Sequence, residues 1–363
     1  MKQMRPIIFV TVSMGGGGTE RVISILANHY CQKNIPVTIL MIADNRVAYE
    51  LDNRIQIVNV SEATGGSLIG RVKRVTGIRK YLKDNPEANV IAMGTVTAMF
   101  TLLAKMGLRR DVVISERNDP NRLNHKPISK SAKWLRNFLY RGAKAVVLQT
   151  EDVKECFPKY LVKKSVVIPN PLSNELPDAY TNTNREKTVI TAGRLTEQKN
   201  HKLLIDAFCK FHQKHSDYQL KIYGKGELEE ELKNYVQKLE MSERIVICGF
   251  CDDLYAQLQT NAIYVSSSNW EGISNSLIEA LAFGIPTIAT DCPVGGSRMF
   301  IRNMENGMLI HTNDENSLVE AMTKIAQDKE FARRLGENAI AIRTQLSVEK
   351  IADEWMQLFE KQQ

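Results

Sequence analysis

The chain has 363 residues, of which 43% are hydrophobic and 25% are charged. This length predicts two domains, and this composition is that of a globular protein. No apolar run reaches about 18 residues, so we expect neither a signal peptide nor a transmembrane helix. Residues 1–170 carry a net charge of +14 and the remainder carries −7. The basic first half favours an anionic partner such as nucleic acid, an acidic membrane leaflet or a pyrophosphate-bearing substrate.

The first elements predict a nucleotide-binding α/β domain. An apolar strand at 7–13 precedes Gly15–Gly18 and a helical pattern. The glycines match neither the dinucleotide-binding pattern nor the Walker pattern, although they allow close approach of a ligand to the backbone. Further apolar runs alternate with helical stretches, which predicts a parallel sheet covered on both faces. The runs are 35–42, 55–60, 89–93, 111–115, 144–149 and 165–168.

The segment 68–85 predicts a basic amphipathic helix. Leu68, Val72, Val75 and Leu82 fall near one stripe, and cations surround the rest. The pattern fits a solvated surface, or an electrostatic contact with anionic lipid or a lipid pyrophosphate, in which each cation contributes about 1 kcal/mol. The cations that we propose for acceptor binding are Arg71, Arg74 and Lys80.

The polar loop after the run at 111–115 supplies further candidates for the acceptor side. It reads SERNDPNRLNHKP and follows a predicted strand, where parallel sheets bind ligands. Arg117, Asn118 and His125 are the candidates. A catalytic base at His125 is a guess, because a lone histidine in a loop is more often inert.

A second α/β domain follows a polar connection. We predict a first domain at 1–170, a linker at 171–187, a second domain at 188–346 and a terminal helix at 347–363 that packs back on the first domain. The strand-and-turn units predicted in the second domain are 188–194, 220–227, 244–250, 262–272, 286–290 and 307–311.

The stretch Trp270–Ile285 organises the predicted site. Glu271 and Glu279 flank a turn of small residues, and a helix that begins near Ser274 would place both carboxylates beside its amino end. Helix amino ends bind phosphate, and two carboxylates beside one favour a sugar nucleotide, which also offers hydroxyl groups. Arg194 and Lys199 lie in another strand-to-helix turn and would suit a diphosphate, each charged hydrogen bond contributing roughly 1.5–3 kcal/mol.

The six cysteines are scattered, which favours buried free thiols in a reducing cytoplasm. Cys248 and Cys251 have the spacing of a redox dithiol or of half a zinc site. No second pair completes a metal site, so we interpret them as structural.

The order of these motifs resembles the retaining glycosyltransferases of family 4. The N-terminal glycines, AGRLTEQKN, YGKGE, CGF and EGISNSLIEALAFGIPTIAT carry the resemblance. SERNDP and the basic segment resemble bacterial enzymes that extend lipid-linked oligosaccharides or exopolysaccharides, including protein-glycosylation N-acetylgalactosamine transferases. The resemblance implies two Rossmann-like α/β domains facing across a cleft (GT-B), a UDP-sugar donor and no cofactor or metal. It also implies an undecaprenyl-pyrophosphate-linked saccharide acceptor at the cytoplasmic face of a bacterial plasma membrane.

The resemblance also implies residue roles. Arg194, Lys199 and Glu271 would be catalytic, and Glu279 would bind the ribose. The remaining donor-binding residues would be Gly16, Gly17, Tyr223, Gly224, Gly249, Phe250, Gly272, Ile273, Ser274, Asn275 and Ser276. Many members of the family carry a histidine where this chain has Glu116–Asn118, which leaves the acceptor-side role open.

Three alternatives stay open. A sugar-nucleotide 2-epimerase shares the architecture but would need acid/base groups around the sugar C2. A nicotinamide-dependent dehydrogenase is disfavoured by the glycine pattern. A nonenzymatic nucleotide-gated or nucleic-acid-binding protein is disfavoured because module signatures and interleaved aromatic residues are missing from the sequence.

Overall fold

A computed structural model describes residues 5–60, 67–123, 126–179, 185–251 and 253–360. The chain forms two compact units. Unit 1 extends to Ser173 and includes the C-terminal residues from Leu346, and unit 2 is Asn174–Gln345. Each unit is an α/β domain with its own parallel sheet.

Unit 1 contains a seven-stranded sheet in the order β3-β2-β1-β4-β5-β8-β9. Its strands and a separate β6–β7 hairpin are β1 (Ile7–Thr11), β2 (Val37–Met41), β3 (Gln56–Asn59), β4 (Asn89–Met93), β5 (Val112–Ser115), β6 (Arg122–Leu123), β7 (Lys126–Pro127), β8 (Ala145–Leu148) and β9 (Ser165–Val167). Its first helices are α1 (Gly18–Gln32), α2 (Leu68–Asp84), α3 (Thr95–Lys105), α4 (Lys130–Tyr140) and α5 (Lys159–Val162), with a 3-10 turn at Asp152–Cys156.

Unit 2 contains a six-stranded sheet in the order β12-β11-β10-β13-β14-β15. The strands are β10 (Glu186–Ala192), β11 (Gln219–Tyr223), β12 (Ile245–Gly249), β13 (Asn261–Ser266), β14 (Thr287–Thr290) and β15 (Met308–Ile310). The helices are α6 (His201–His212), α7 (Glu229–Lys238), α8 (Leu254–Gln259), α9 (Asn275–Ala282), α10 (Glu315–Gln327), α11 (Lys329–Ala339) and α12 (Ile342–Gln345).

The last helix, α13 (Val348–Glu360), returns the chain to unit 1. It packs against α1, where the Tyr30 hydroxyl donates a hydrogen bond to the Ala352 carbonyl oxygen at 2.8 Å. Trp355 is fully buried in the same helix. The buried side of α13 therefore packs within unit 1, in contact with α1.

The prediction of two parallel α/β sheets is confirmed. All thirteen strands of the two sheets overlap the predicted apolar runs. The central strands β1, β4, β5 and β8 are buried along their whole length, which accounts for their apolar sequence, whereas the edge strands β3 and β9 are partly exposed. The apolar side of α6 packs into the core of unit 2, with Leu204, Phe208 and Phe211 buried.

The apolar stripe predicted on α2 is exposed at the amino end of the helix and buried further along. Leu68 is 76% exposed and Val72 is 54% exposed, whereas Ile78 and Leu82 are buried. Only the later turns of α2 are covered by the unit, so the apolar side chains of its first turns remain exposed. Within the described part of the chain, none of the helices combines the length and the apolar character needed to cross a membrane.

Candidate functional site

The strand order of unit 2 creates the candidate site. The sheet reverses its order between β10 and β13, which are neighbours, so that the loops after these two strands lie side by side at the carboxyl edge. Loops on either side of such a reversal form the ligand crevice of open α/β sheets. The first loop carries Arg194 and Lys199, and the second carries Glu271 and Ser274.

The two loops are joined by an ion pair. Lys199 Nζ lies 2.5 Å from Glu271 Oε2 and donates a longer hydrogen bond to Ser274 Oγ at 3.4 Å. Both charged side chains are mostly buried. Each therefore has few water partners, and each depends on the other for charge compensation.

The amino end of α9 faces this pair through two serines. Ser274 is the N-cap residue of α9, but its side chain makes no capping hydrogen bond with the helix. Its Oγ lies 3.2 Å from Ser276 Oγ, which donates to the Ala192 carbonyl oxygen at 2.7 Å. The helix begins where the sequence predicted, and its positive dipole end lies beside Lys199, an arrangement suited to an anion.

Both predicted carboxylates lie near the Tyr264 ring. The Tyr264 hydroxyl donates to Ser276 Oγ at 2.8 Å. Burial first, and then the charges of Glu279 and Glu271, raise the pKa of Tyr264. Glu279 is itself buried in α9. The turn between Glu271 and Glu279 is therefore hydrogen-bonded, through Ser276, to a neutral tyrosine.

A histidine supports the loop that carries Arg194. His201 is buried at the start of α6, and its Nε2 lies 3.2 Å from the Arg194 carbonyl oxygen, which it contacts as a donor. Burial lowers the pKa of His201 to about 4, and the nearby Lys199 charge acts in the same direction. The ring is therefore neutral at physiological pH.

The two turns that carry the predicted donor-binding residues Gly224 and Gly249 are joined by a backbone hydrogen bond. Gly224 N donates to the Gly249 carbonyl oxygen at 2.7 Å. Gly224 has φ +140°, and a Cβ there would overlap the Gly193 carbonyl oxygen. Phe250, next to this turn, has an exposed ring. The close contact explains the glycine at 224, because a larger residue would push this turn away from the loop that begins at Gly193.

Two polar residues that the sequence analysis did not single out hold the Glu271 loop. Ser268 Oγ donates to Glu271 Oε2 at 3.3 Å, and Gln198 Nε2 donates to the Trp270 carbonyl oxygen at 3.0 Å. Ser268 lies within the polar run SSSN at 266–269, which begins at the last residue of β13, and this run was a signal that could have identified it.

The loop after β14 also reaches the site. A Cβ at Gly296 would overlap the Gly272 carbonyl oxygen, so this position requires glycine. Cys292 is buried in the same loop, which raises its thiol pKa to about 12, and Glu271 adds to the rise. The Gly295–Gly296 pair was the available signal in the sequence.

Unit 1 contains the other predicted donor residues. Gly16 has φ +101°, which favours glycine, and Gly17 is the N-cap residue of α1. The Tyr49 hydroxyl donates to the Gly17 carbonyl oxygen at 3.0 Å. The glycine run therefore forms a strand-to-helix turn at the carboxyl end of β1, as predicted.

Arg117 is the notable cation of unit 1. It follows β5, and its guanidinium donates to Asn170 Oδ1 and, at 3.5 Å, to Ser115 Oγ. Its Nε is buried and has no hydrogen-bond partner among the described residues. Burial lowers its pKa to about 10. The neighbouring Glu116 instead accepts hydrogen bonds from Tyr140 and Thr95.

The remaining acceptor candidates differ in their surroundings. Asn118 accepts a hydrogen bond from the Asp119 backbone at 2.9 Å, and His125 lies outside the described residues. On α2, Arg71 and Lys80 are exposed, whereas Arg74 donates to the Ile42 carbonyl oxygen at 3.0 Å and lies over the Phe100 ring.

All six cysteines are free thiols. Within the described ranges, no three or more His, Cys, Asp or Glu side chains are grouped as they would be to hold a metal ion.

A parallel sheet in this strand order, with cations and a helix amino end at its carboxyl edge, defines a nucleotide-binding α/β protein. The family model for glycosyl transferases group 1 matches residues 173–341, and the model for glycosyltransferase family 4 matches residues 16–176. The chain belongs to this family of GT-B glycosyltransferases. The predicted family, fold class and glycosyl-transfer activity are confirmed, and the three alternatives are disfavoured.

Relatives agree over nearly the full length. An uncharacterized glycosyltransferase of Haemophilus influenzae is 25% identical over 97% of this chain and 99% of its own. A Campylobacter jejuni α-1,4-N-acetyl-D-galactosaminyltransferase, named for a GalNAc-GalNAc-diNAcBac-PP-undecaprenol, is 25% identical over 98% of each chain. The crystal structure of Anabaena HepE with UDP and glucose superposes with a TM-score of 0.83, at 17% identity, and covers 99% of this chain and 100% of its own.

Proposed function

We propose that this glycosyltransferase moves a hexose or N-acetylhexosamine from a UDP-sugar to an undecaprenyl-pyrophosphate-linked saccharide, with retention and without a metal. The observation that carries the proposal is the Lys199–Glu271 pair beside the amino end of α9. A cation and a helix dipole suit the diphosphate, and a carboxylate suits sugar hydroxyls.

In the proposed reaction the bond between the sugar C1 and the donor phosphate oxygen breaks, and a bond from C1 to the acceptor hydroxyl oxygen forms. The hydroxyl proton leaves with the departing UDP, whose phosphate oxygen receives it. Negative charge develops on that phosphate, so Arg194, Lys199 and the α9 amino end would supply the main stabilisation of the transition state. These fixed positive groups are the reason that we propose no metal.

The ion pair suggests how the donor would be received. Lys199 and Glu271 neutralise each other at 2.5 Å. An arriving diphosphate would compete with Glu271 for Lys199 and free the carboxylate to accept hydrogen bonds from the sugar. Glu271 would therefore bind sugar hydroxyls and would not act as a nucleophile. Retention would then follow from attack on the face from which UDP leaves.

The acceptor side of the proposal is supported by Arg117 and by the relatives. A guanidinium with a buried Nε, whose hydrogen bonds among the described residues go to neutral oxygens, is suited to a phosphate. The Campylobacter relative is named for a PP-undecaprenol saccharide. We therefore assign the acceptor pyrophosphate to the carboxyl edge of the unit 1 sheet, and the exposed cations of α2 to the anionic surface around it.

The first test is a thermal-shift panel of UDP, GDP, UDP-glucose, UDP-galactose and their N-acetyl forms, each with and without EDTA. A donor present at 100 times its Kd should stabilise the protein by about 2.7 kcal/mol, and EDTA should not change the shift. The best donor is then incubated with a synthetic pyrophosphate-linked saccharide, and the anomeric configuration of the product is read by NMR. A panel without any shift, an EDTA-sensitive shift or an inverted product would each contradict the corresponding part of the proposal.

A further inference from the structure

Helix α4 exposes an unusual group of aromatic side chains. Trp134 is 68% exposed and Phe138 is 48% exposed, and their rings stack with centroids 5.6 Å apart. Leu135 on the same helix and Tyr160 on α5 are also exposed. Large apolar side chains scattered singly on a surface are ordinary, but a contiguous aromatic patch indicates a binding surface.

Cations surround this patch. The Arg141 guanidinium lies over the Phe138 ring at 5.9 Å and over the Tyr160 ring at 4.7 Å. Lys130, Lys159 and Lys163 are exposed on the same helices or directly beside them. We define the aromatic-cationic face by the exposed residues Trp134, Leu135, Phe138, Tyr160, Lys130, Arg141, Lys159 and Lys163.

The underside of α4 is fixed, so this face does not open into the core. Arg136 is fully buried below it, lies 4.6 Å from the Phe157 ring and donates to the Pro120 carbonyl oxygen. Leu139 and Tyr140 are buried on the same side. The exposed aromatic rings are therefore a stable feature of the outer surface of unit 1.

We propose that the aromatic-cationic face docks on an anionic lipid bilayer. Trp and Tyr rings favour the interface between water and hydrocarbon, and Phe and Leu favour its apolar side. Each Lys or Arg near an anionic surface strengthens binding about fivefold. The inference extends the proposed function, from which the need for a membrane comes, but it concerns a surface separate from the donor site.

The charge of the face favours a bilayer over a second copy of the chain. In a twofold dimer the same face meets itself, which would place Lys130, Arg141, Lys159 and Lys163 in one interface with the same four cations of the second copy. Such like-charge contacts are unfavourable, and the face itself offers no acid to relieve them. Anionic headgroups would instead neutralise every cation.

A second apolar and basic surface lies in the same helical layer. At the amino end of α2, Leu68, Ile69 and Val72 are exposed beside Arg71 and Lys73. Helix α3 packs against both α2 and α4. Two helices of one layer thus expose apolar side chains with cations, as expected for a layer that rests on a membrane.

The test measures binding of the full chain to vesicles of equal parts phosphatidylcholine and phosphatidylglycerol, and to vesicles of phosphatidylcholine alone. The chain has three tryptophans, all within the described ranges, and of these Trp270 and Trp355 are buried. A fluorescence blue shift on binding would therefore report Trp134. We expect co-sedimentation and a blue shift with the anionic vesicles, both weakened by high salt.

The decisive variant is Trp134→Ser combined with Phe138→Ser, which should weaken binding to the anionic vesicles at least about tenfold. The matched control, Leu239→Ser with Val246→Ser, removes exposed apolar side chains from unit 2 and should bind as the wild type does. A third variant, Leu68→Ser with Ile69→Ser, measures the contribution of α2.

Three results would overturn the inference. The first is that the Trp134/Phe138 variant binds anionic vesicles as tightly as the wild type does, and the second is that the wild type shows no blue shift. The third is that the wild type does not bind vesicles and the variant has a different oligomeric state. The UDP thermal shift of the variant should match that of the wild type. Vesicle binding without any UDP shift would contradict the proposed function and leave this inference standing.

Discussion

The carboxyl edges of the two sheets each hold a largely enclosed cation, but the two cations have different partners. In unit 2, Lys199 lies 2.5 Å from the carboxylate of Glu271. In unit 1, Arg117 contacts the neutral oxygens of Asn170 and Ser115, and burial lowers its pKa to about 10. The two sheets share the same strand order through their first five positions. The fold therefore fixes where a ligand binds, while the side chains that contact the cation determine whether the empty site is neutral or positively charged.

This difference has an energetic consequence. The attraction between a buried cation and its carboxylate offsets the cost of removing both from water, but an incoming anion must displace the carboxylate. An uncompensated buried cation is costly in the empty protein and becomes favourable when an anion arrives. The predictions below test the two cases, beginning with the largest expected effect.

Lys199→Ala should reduce kcat/KM roughly a hundredfold to a thousandfold, because it removes a cation from the developing charge on the leaving group. Lys199→Arg should retain part of the activity. Steady-state kinetics with the donor found by the thermal-shift panel would measure both. The matched control is Lys202→Ala, which removes a nearby lysine whose ammonium lies over the Tyr235 ring, and it should leave turnover unchanged.

The pair itself is tested by a double-mutant cycle. If Lys199 and Glu271 act together, the losses caused by Lys199→Ala and Glu271→Ala should not add in the double variant. Strict additivity would contradict the idea that the donor exchanges with Glu271 for the same cation.

His201 should make unit 2 sensitive to acid. Its pKa is lowered to about 4, so the unfolded chain binds this proton more readily than the folded protein does. The contribution of neutral His201 to the free energy of unfolding is therefore complete above about pH 6.5. As the pH falls toward 4, the free energy of unfolding should decrease by about 3 kcal/mol.

Chemical denaturation at several pH values would measure this loss. His201→Gln keeps a donor for the Arg194 carbonyl oxygen and should flatten the dependence on pH in that window. His311→Gln, which changes an exposed histidine, should leave the wild-type dependence in place. Parallel curves for wild type and His201→Gln would show that His201 does not titrate as described.

Glu279→Gln should raise KM for the donor about tenfold or more, since a carboxylate makes stronger hydrogen bonds to hydroxyl groups than an amide does. The shape of the side chain is retained, so the melting temperature should change little. Glu320→Gln on the exposed side of α10 is the control. An unchanged donor KM would remove Glu279 from the ribose site.

Arg117→Gln should have the smallest effect on activity, and it should not destabilise the protein. Relief from burying an uncompensated charge should leave the melting temperature unchanged or raise it. KM for the lipid-linked acceptor should rise about tenfold, with the UDP shift unchanged. Arg122→Gln changes a cation of the same loop that pairs with Asp119 at 3.8 Å, and it should leave acceptor use intact. A marked loss of stability in Arg117→Gln would contradict the comparison.

Local patterns predicted most of the elements. Buried parallel strands are continuously apolar, and a strand such as β4 has no polar residue between Val90 and Met93. The helix that begins after Ser274 was also predictable, because small polar residues precede an apolar helical pattern. The β6–β7 hairpin was missed, since two-residue strands leave no periodicity to detect.

Patterns did not show what covers an apolar side chain. Leu68 and Val72 have the spacing of a core stripe but lie in solvent, and Trp134 and Phe138 are exposed on α4. Periodicity assigns residues to one side of a helix, whereas burial depends on whether another element packs there.

The sequence by itself determined the two α/β domains, the glycine turns and the residue types at the site, because these depend on neighbours within a few positions. Only the tertiary structure decided that Lys199 meets Ser274, 75 positions away, and that Gly296 must be small for Gly272. It also decided that Arg117 hydrogen-bonds to the neutral oxygens of Asn170 and Ser115. The physical reason is that strand order and loop packing bring distant segments together, and charge balance depends on the distances that result.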